Sequence, residues 1–244
     1  MTIPPRLQEQ LKTAKRVVVL TGAGVSAESG VPTFRDAWTG LWSRFDPEEL
    51  ATPRAFQRNP RLVWEWYAHR REMISEAKPN PAHEVLAQME QILPEFHLIT
   101  QNIDGLHQRA GSRQVIELHG NITRTKCFDE GTIVSTWKET GDVPPRCPQC
   151  GGYLRPDVVW FEELLPEREI TLAFQVAAQC EVFFSIGTSS VVYPAAALPL
   201  EALEHGATVV EINLQPTPLS RKADFVLVGA AGSVMAALLK SLRS

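Results

Sequence analysis

Long hydrophobic runs are missing from this sequence: nothing in its 244 residues approaches the roughly 20 consecutive apolar positions of a membrane helix. Charge of one sign is not in large excess either. A formal net charge of -4 offers no global attraction to nucleic acid or to an anionic membrane, so either partner would need a local patch. Internal repeats and low-complexity tracts are absent, which excludes a solenoid and a disordered linker. The stretch from Met1 to Lys15 is polar and charged and lacks the apolar centre of a secretory signal. No membrane partner, no stable nucleic-acid binding and a cytoplasmic location are the expectations.

Cysteine is scarce. Of Cys127, Cys147, Cys150 and Cys180, none is a good disulfide candidate without a secretory signal, so a metal site and plain burial compete. Cys180 stands at the entrance to an apolar run and reads as a small core residue. The other three cluster in one segment.

What is present is an ordinary globular composition, 44% apolar and 21% charged. Val17–Leu20 is apolar at every position, as in a parallel strand buried on both faces. Similar runs lie at 96–100, 182–186, 208–212 and 225–228. Helical patterns at 6–15, 81–93, 166–179, 194–204 and 233–242 alternate with them. This order indicates an α/β fold: a Rossmann-like, parallel, doubly wound sheet. Two regions interrupt the alternation. Residues 36–75 are rich in aromatics and arginines, and residues 122–160 hold the three clustered cysteines. They read as a smaller helical and zinc-binding domain inserted into a Rossmann-like domain made of 1–35, 76–121 and 161–244.

Directly after the first strand, Gly22-Ala23-Gly24-Val25-Ser26-Ala27 fits the phosphate-loop pattern G-x-G-x-x-G/A. Glycines there allow a tight turn and close backbone approach to a pyrophosphate. A purely structural glycine turn is the competing reading. A dehydrogenase would continue through a second strand to an acidic residue about 20 positions on. Here Gly30-Val31-Pro32 ends the helix almost at once, so any bound NAD is not expected to serve hydride transfer.

The segment Gly22 to Arg35 resembles the cofactor signature of the sirtuin family almost residue for residue. Thr100 to His107, Glu117-Leu118-His119-Gly120, Leu154 to Glu162, Ile186 to Ser189 and Glu211-Ile212-Asn213 resemble further family motifs, in the family's order. Glu162 departs from the glycine usual there. The resemblance spans about residues 16–230. It implies an NAD domain, a small zinc domain, and a cleft between them in which acyl groups pass from protein lysines to ADP-ribose, releasing nicotinamide. It also implies the site residues. His119 would be the general base, its imidazole suited to proton transfer near neutral pH. Gly22, Ala23, Gly24, Glu28, Thr33, Phe34, Arg35, Gln101, Asn102, Ile103, Asp104, Gly187, Thr188, Ser189 and Asn213 would bind the cofactor. His83, His97 and His107 read as structural or surface residues.

The family usually carries two Cys-x-x-Cys pairs. Cys147-Pro148-Gln149-Cys150 is intact, but the first pair reads Cys127-Phe128-Asp129-Glu130. Zinc held by three thiolates and a carboxylate (Glu130, with Asp129 second), a weak site, and no metal all stay open. A nucleic-acid-binding zinc ribbon is opposed by the acidic charge and the scattered basic residues. Tyr67-Ala68-His69-Arg70 resembles the Tyr-x-x-Arg motif of the bacterial desuccinylase and demalonylase class. An arginine fork and a phenol suit a carboxylate. An ordinary exposed helical pair is the alternative. Deacetylation alone, protein ADP-ribosylation on the same scaffold and NAD binding without catalysis are the rival functions. Oligomeric state is not legible.

Overall fold

An apolar residue at every position of a strand can be accommodated only where both sheet faces are covered, and that is how the first strand is built. In the computed structural model, which describes residues 2–32 and 50–243, β1 (Arg16–Thr21) turns Val17 and Val19 to one core and Val18 and Leu20 to the other. The same division splits Phe184 from Phe183 in β6 (Val182–Ile186). Burying each such side chain contributes about 1.5–3 kcal/mol.

The remaining strands of this sheet are β2 (Glu95–Thr100), β3 (Val115–Glu117), β7 (Thr208–Asn213) and β8 (Phe225–Val228). All pair in parallel in the order β3-β2-β1-β6-β7-β8. The order therefore reverses between β1 and β6, the place where open α/β sheets accept ligands. One core is closed by α1 (Pro5–Thr13), α5 (Pro81–Ile92) and α9 (Ala231–Arg243), and the other by α7 (Glu167–Gln179) and α8 (Leu198–Glu204). Strand β3 escapes the sequence pattern because three residues are too few to show a period. Cys180 is buried behind β6, where burial pushes its thiol up to about 12, in keeping with a core role.

The two interruptions share a third core. Helices α3 (Pro53–Arg58) and α4 (Pro60–Glu76) pack Phe56, Val63, Trp66, Tyr67 and Ile74 against Ile122, Val158 and Trp160, which belong to or follow the antiparallel ribbon of β4 (Gly120–Cys127) and β5 (Leu154–Val158). Both helices are regular rather than irregular. Each begins Pro-first behind a capping side chain, Thr52 Oγ1 accepting from Ala55 N and Asn59 Oδ1 accepting from Leu62 N. Among the described residues, no helix is long and apolar enough to cross a membrane.

At the switch point the loops after β1 and β6 meet backbone on backbone. Gly24 N donates to Gly187 O at 2.8 Å, and a Cβ on Gly24 would lie 2.7 Å from that oxygen. Helix α2 (Ala23–Ser26) is a single turn, continued by the 3-10 turn Ala27–Ser29 and stopped by Gly30 at φ +77, as the Gly30-Val31-Pro32 sequence requires. Gly24→Ala is therefore expected to cost about 1–3 kcal/mol, because neither backbone can retreat. A lowered urea midpoint at unchanged m-value would show it; an unchanged midpoint would mean that the two loops yield freely.

Candidate functional site

Five strands end together at the C-terminal edge of the sheet. Thr21, Thr100 and Glu117 stand in register across β1, β2 and β3, and Thr21 Oγ1 donates to Thr100 Oγ1 at 2.9 Å. The residues leaving these strands, with those leaving β6 and β7, make up the site.

His119 follows β3. Its Nδ1 lies 2.9 Å from the carbonyl oxygen of Gln101. A carbonyl only accepts, so Nδ1 carries the proton and the neutral ring keeps its lone pair on Nε2. Burial pulls the histidine below its ordinary 6.5, opposed in part by that hydrogen bond, so the neutral form is favoured at physiological pH. The backbone around it is pinned to β5. Val159 N donates to His119 O at 2.9 Å, and Gly120, at φ +76, leaves no room for a Cβ beside Asp157 O.

Behind the glycine loop lies a closed polar network. Asn102 Nδ2 donates to Gly22 O and to Ser26 Oγ, each at 3.1 Å, and Ser26 Oγ donates to Asp104 Oδ2 at 2.7 Å. Asn80 N donates to His83 Nδ1 at 3.2 Å, which leaves His83 Nε2 to face Ser26 Oγ at 3.4 Å as the protonated nitrogen. Burial brings His83 down to about 4, and burial together with the nearby His83 brings His107 to about 3, so both rings are neutral. Burial raises the Asp104 carboxyl, countered in part by Ser26 and by the amide of Leu106, the first residue of the single-turn helix α6 (Leu106–Arg109). His83 and His107 are thus structural as expected, yet they lie in the wall of the site. Ser26 went unmarked as a site residue, although its sequence position inside the glycine loop places it beside any ligand held there.

Gln101 Nε2 donates to Thr188 Oγ1 at 3.1 Å, and Asn213 Nδ2 donates to Thr188 O at 2.8 Å. Gly22, Ala23, Gly24, Gln101, Asn102, Ile103, Asp104, Gly187, Thr188, Ser189 and Asn213 therefore stand at adjoining strand ends, in the loops after them and at the start of α2, around the switch point. Hydroxyl, amide and carboxylate groups above a glycine loop form a donor set suited to a ribose-bearing ligand with phosphates. Glu28 has a second engagement, since its carboxylate accepts from Gly232 N at 2.7 Å in the first turn of α9. Thr33, Phe34 and Arg35 lie outside the described residues.

Tyr67 and Arg70 are not an exposed pair. They are 2% and 5% exposed, on the buried face of α4. Tyr67 Oη accepts from Trp160 Nε1 at 3.0 Å, and burial pushes the phenol up to about 12. The Arg70 guanidinium lies 5.2 Å from the Trp66 ring centroid, and burial lowers its pKa. Glu162 takes φ +75, a left-handed conformation that favours glycine, and its carboxylate pairs with Arg54.

The sulfurs of Cys127, Cys147 and Cys150 lie within 4.8 Å of one another, with Cys127 and Cys150 at 3.4 Å. Three thiols so close, with no disulfide, suit a tetrahedral zinc ion. The Glu130 carboxylate is not part of this group; its backbone N–H donates to Cys127 Sγ at 3.4 Å. An Asp129 carboxylate oxygen takes the space that a Cβ on Gly152 would occupy, a point 3.4 Å from Cys150 Sγ.

Comparison with known proteins decides the family. Residues 22–194 match the model of the Sir2 family. The chain belongs to the Sir2 family. An NAD-dependent protein deacylase of Aquifex aeolicus is 54% identical over 209 residues, 85% of this chain and 87% of that protein. NAD-dependent protein deacylase 1 of Pseudomonas aeruginosa is 49% identical, covering 95% and 96% of the two chains. Among solved structures, a Sir2 homologue–NAD complex superposes with a TM-score of 0.91 at 45% identity, over 99% of this chain and 94% of that one. A Sir2 protein bound to acetylated peptide gives 0.86 at 30% identity, over 96% of each.

Freshly purified protein is expected to hold close to one equivalent of zinc, and Cys150→Ser to lower both the zinc content and the melting temperature, because structural zinc contributes folding free energy directly. Metal-free protein with an unchanged melting temperature would show that the cluster is a set of ordinary buried thiols.

Proposed function

We propose that this protein is an NAD-dependent protein-lysine deacylase, with His119 as its general base and with acidic acyl groups among its substrates. The observation that carries the reading is the 2.9 Å contact of the half-buried His119 Nδ1 with Gln101 O, which commits the ring proton there and leaves the lone pair on Nε2, beside the Asn102–Ser26–Asp104 network. Kinship with proteins named NAD-dependent protein deacylase, and with Sir2 structures bearing NAD and acetylated peptide, supports the cofactor and the substrate class. A cytoplasmic location fits the composition.

When bound, NAD would supply an electrophilic ribose carbon with nicotinamide as its leaving group, so that acyl-lysine, NAD and one water would give free lysine, nicotinamide and O-acyl-ADP-ribose without redox change. The chain's own residues have four tasks. The Gly22-Ala23-Gly24 turn, its two glycine amides given to Ile186 O and Gly187 O, would let the phosphates come close to main chain where larger side chains would obstruct. Asn102 and Asp104, oriented by Ser26, would fix the nicotinamide and its ribose, with Ile103 bordering them and Gln101 on the ribose. Gly187, Thr188, Ser189 and Asn213 would hold the adenosine end. His119 Nε2 would take the proton from a ribose hydroxyl, and its depressed pKa keeps it ready to do so. For Thr33, Phe34 and Arg35 the family motif alone supports a role over the phosphates.

The base must be unprotonated to act. With the His119 pKa lowered, activity should persist as the pH falls and decline only through a pKa below the ordinary 6.5. The acid limb of kcat in the NAD- and peptide-saturated enzyme measures this, and His119→Ala should lower kcat by about 10²–10⁴-fold. An acid limb above 6.5, or a mutant with more than about a tenth of native turnover, removes His119 from the role.

Tyr67 and Arg70 support the acidic acyl preference. A buried guanidinium whose charge is penalised by desolvation gains most from a carboxylate, which it can bind through two hydrogen bonds. Arg70→Met should therefore raise KM for a succinyl-lysine peptide and spare an acetyl-lysine peptide. A charged hydrogen bond contributes about 1.5–3 kcal/mol, a ratio change of about ten- to a hundredfold in kcat/KM. Equal losses on both peptides would make Arg70 a packing residue.

A further inference from the structure

We infer that Trp160 is a positioning residue for acyl selectivity: its indole N–H fixes the Tyr67 hydroxyl as a donor toward the acyl carboxylate. This rests on the reading of Tyr67 and Arg70 given above. An indole N–H can only donate, so at 3.0 Å from Tyr67 Oη it takes one of the two acceptor positions of that hydroxyl. The hydroxyl's single proton is left for another partner. With the phenol pushed up to about 12, that proton stays in place across the whole working range of the enzyme. A freely rotating hydroxyl could present either a lone pair or its proton to an anion. Held by Trp160, it is biased to present the proton.

Trp160 is itself held on every side. It is 1% exposed, its ring lies 5.3 Å from Phe56 and stacks at 6.3 Å on Tyr67, and its backbone N–H donates to Glu163 Oε2 at 2.8 Å. Glu163 is bound by both terminal nitrogens of Arg155, at 2.5 and 3.0 Å, and Arg155 also donates to Val158 O at 2.6 Å. The Arg155 guanidinium lies 3.2 Å from the Trp160 ring centroid. The segment 155–163 is thus closed on itself by a two-pronged ion pair, and the indole bond to Tyr67 ties it to α4. A buried indole N–H needs an acceptor in any case, and the acceptor it has here is the hydroxyl of the motif.

Trp160→Phe keeps an aromatic ring and deletes the donor. Measured as kcat/KM for succinyl-lysine over acetyl-lysine peptide, the ratio should fall about twofold to tenfold, the effect of one neutral hydrogen bond. In a Tyr67→Phe background the same change should produce no further fall, since the bond is already gone. If Trp160→Phe does not fold, 3-benzothienylalanine at position 160, which keeps the bicyclic shape and lacks the N–H, serves in its place. Equal losses on both peptides, or additive losses in the double variant, would overturn the positioning role. If Tyr67→Phe and Arg70→Met lower the ratio while removal of the indole N–H does not, the inference fails and the carboxylate reading stands. If neither of those two variants lowers the ratio, both fall.

Discussion

Everything at the ligand edge depends on two loops touching without side chains between them. The contact of Gly24 with Gly187 brings the end of β1 against the end of β6 at the one point where the strand order reverses. A methyl group on either glycine would separate the loops and open the polar network that Ser26 ties to Asp104 and Asn102. The glycine pattern therefore has a structural role, and that role is compatible with the proposed one toward a phosphate ligand. Close backbone packing creates the space in which a pyrophosphate can approach the main chain.

The parts of the fold most legible in the sequence are those in which local pattern and tertiary role agree. Val17–Leu20 is apolar throughout because both faces are covered, and no other element type explains four such residues before a glycine loop. Parts that depend on distant partners were hidden. β3 is too short to carry a period, and β4 and β5 alternate poorly because Arg124 and Lys126 pair with Asp157 across the ribbon while Arg155 pairs with Glu163 beyond it. The burial of Arg70 was illegible for a similar reason. An arginine in an arginine-rich stretch reads as solvated until helix α4 is seen to turn its Val63–Tyr67–Arg70–Ile74 stripe inward.

The site divides along the same line. The histidine and asparagine motifs could be read because each sits within a few residues of a strand end, and strand ends are legible. The link from Trp160 to Tyr67 joins positions 93 apart, and no spacing rule anticipates it. Glu162 is intermediate. Its departure from the usual glycine was visible, but only its φ of +75 shows that the backbone kept the glycine conformation while the residue changed, with Arg54 engaging the new carboxylate. Holding a non-glycine residue there costs about 1–2 kcal/mol. An exposed ion pair typically contributes about 0–1 kcal/mol, so the pairing offsets that strain only in part.

The two halves of the proposed cleft handle buried polarity in opposite ways, and this supports their assignment to different ligands. On the cofactor side, His83 and His107 are driven neutral by burial and the Asp104 carboxyl is met by Ser26 and the Leu106 amide, so directional hydrogen bonds replace net charge. That suits hydroxyls and a carboxamide, which must be oriented rather than neutralised. On the side proposed for the acyl group, a guanidinium is kept inside the third core, one helical turn from a phenol that cannot ionise at physiological pH. A buried cation with a neutral phenol on the same helix face suits an anion better than a methyl group. Under that proposal the same scaffold sets orientation on one side of the cleft and charge on the other.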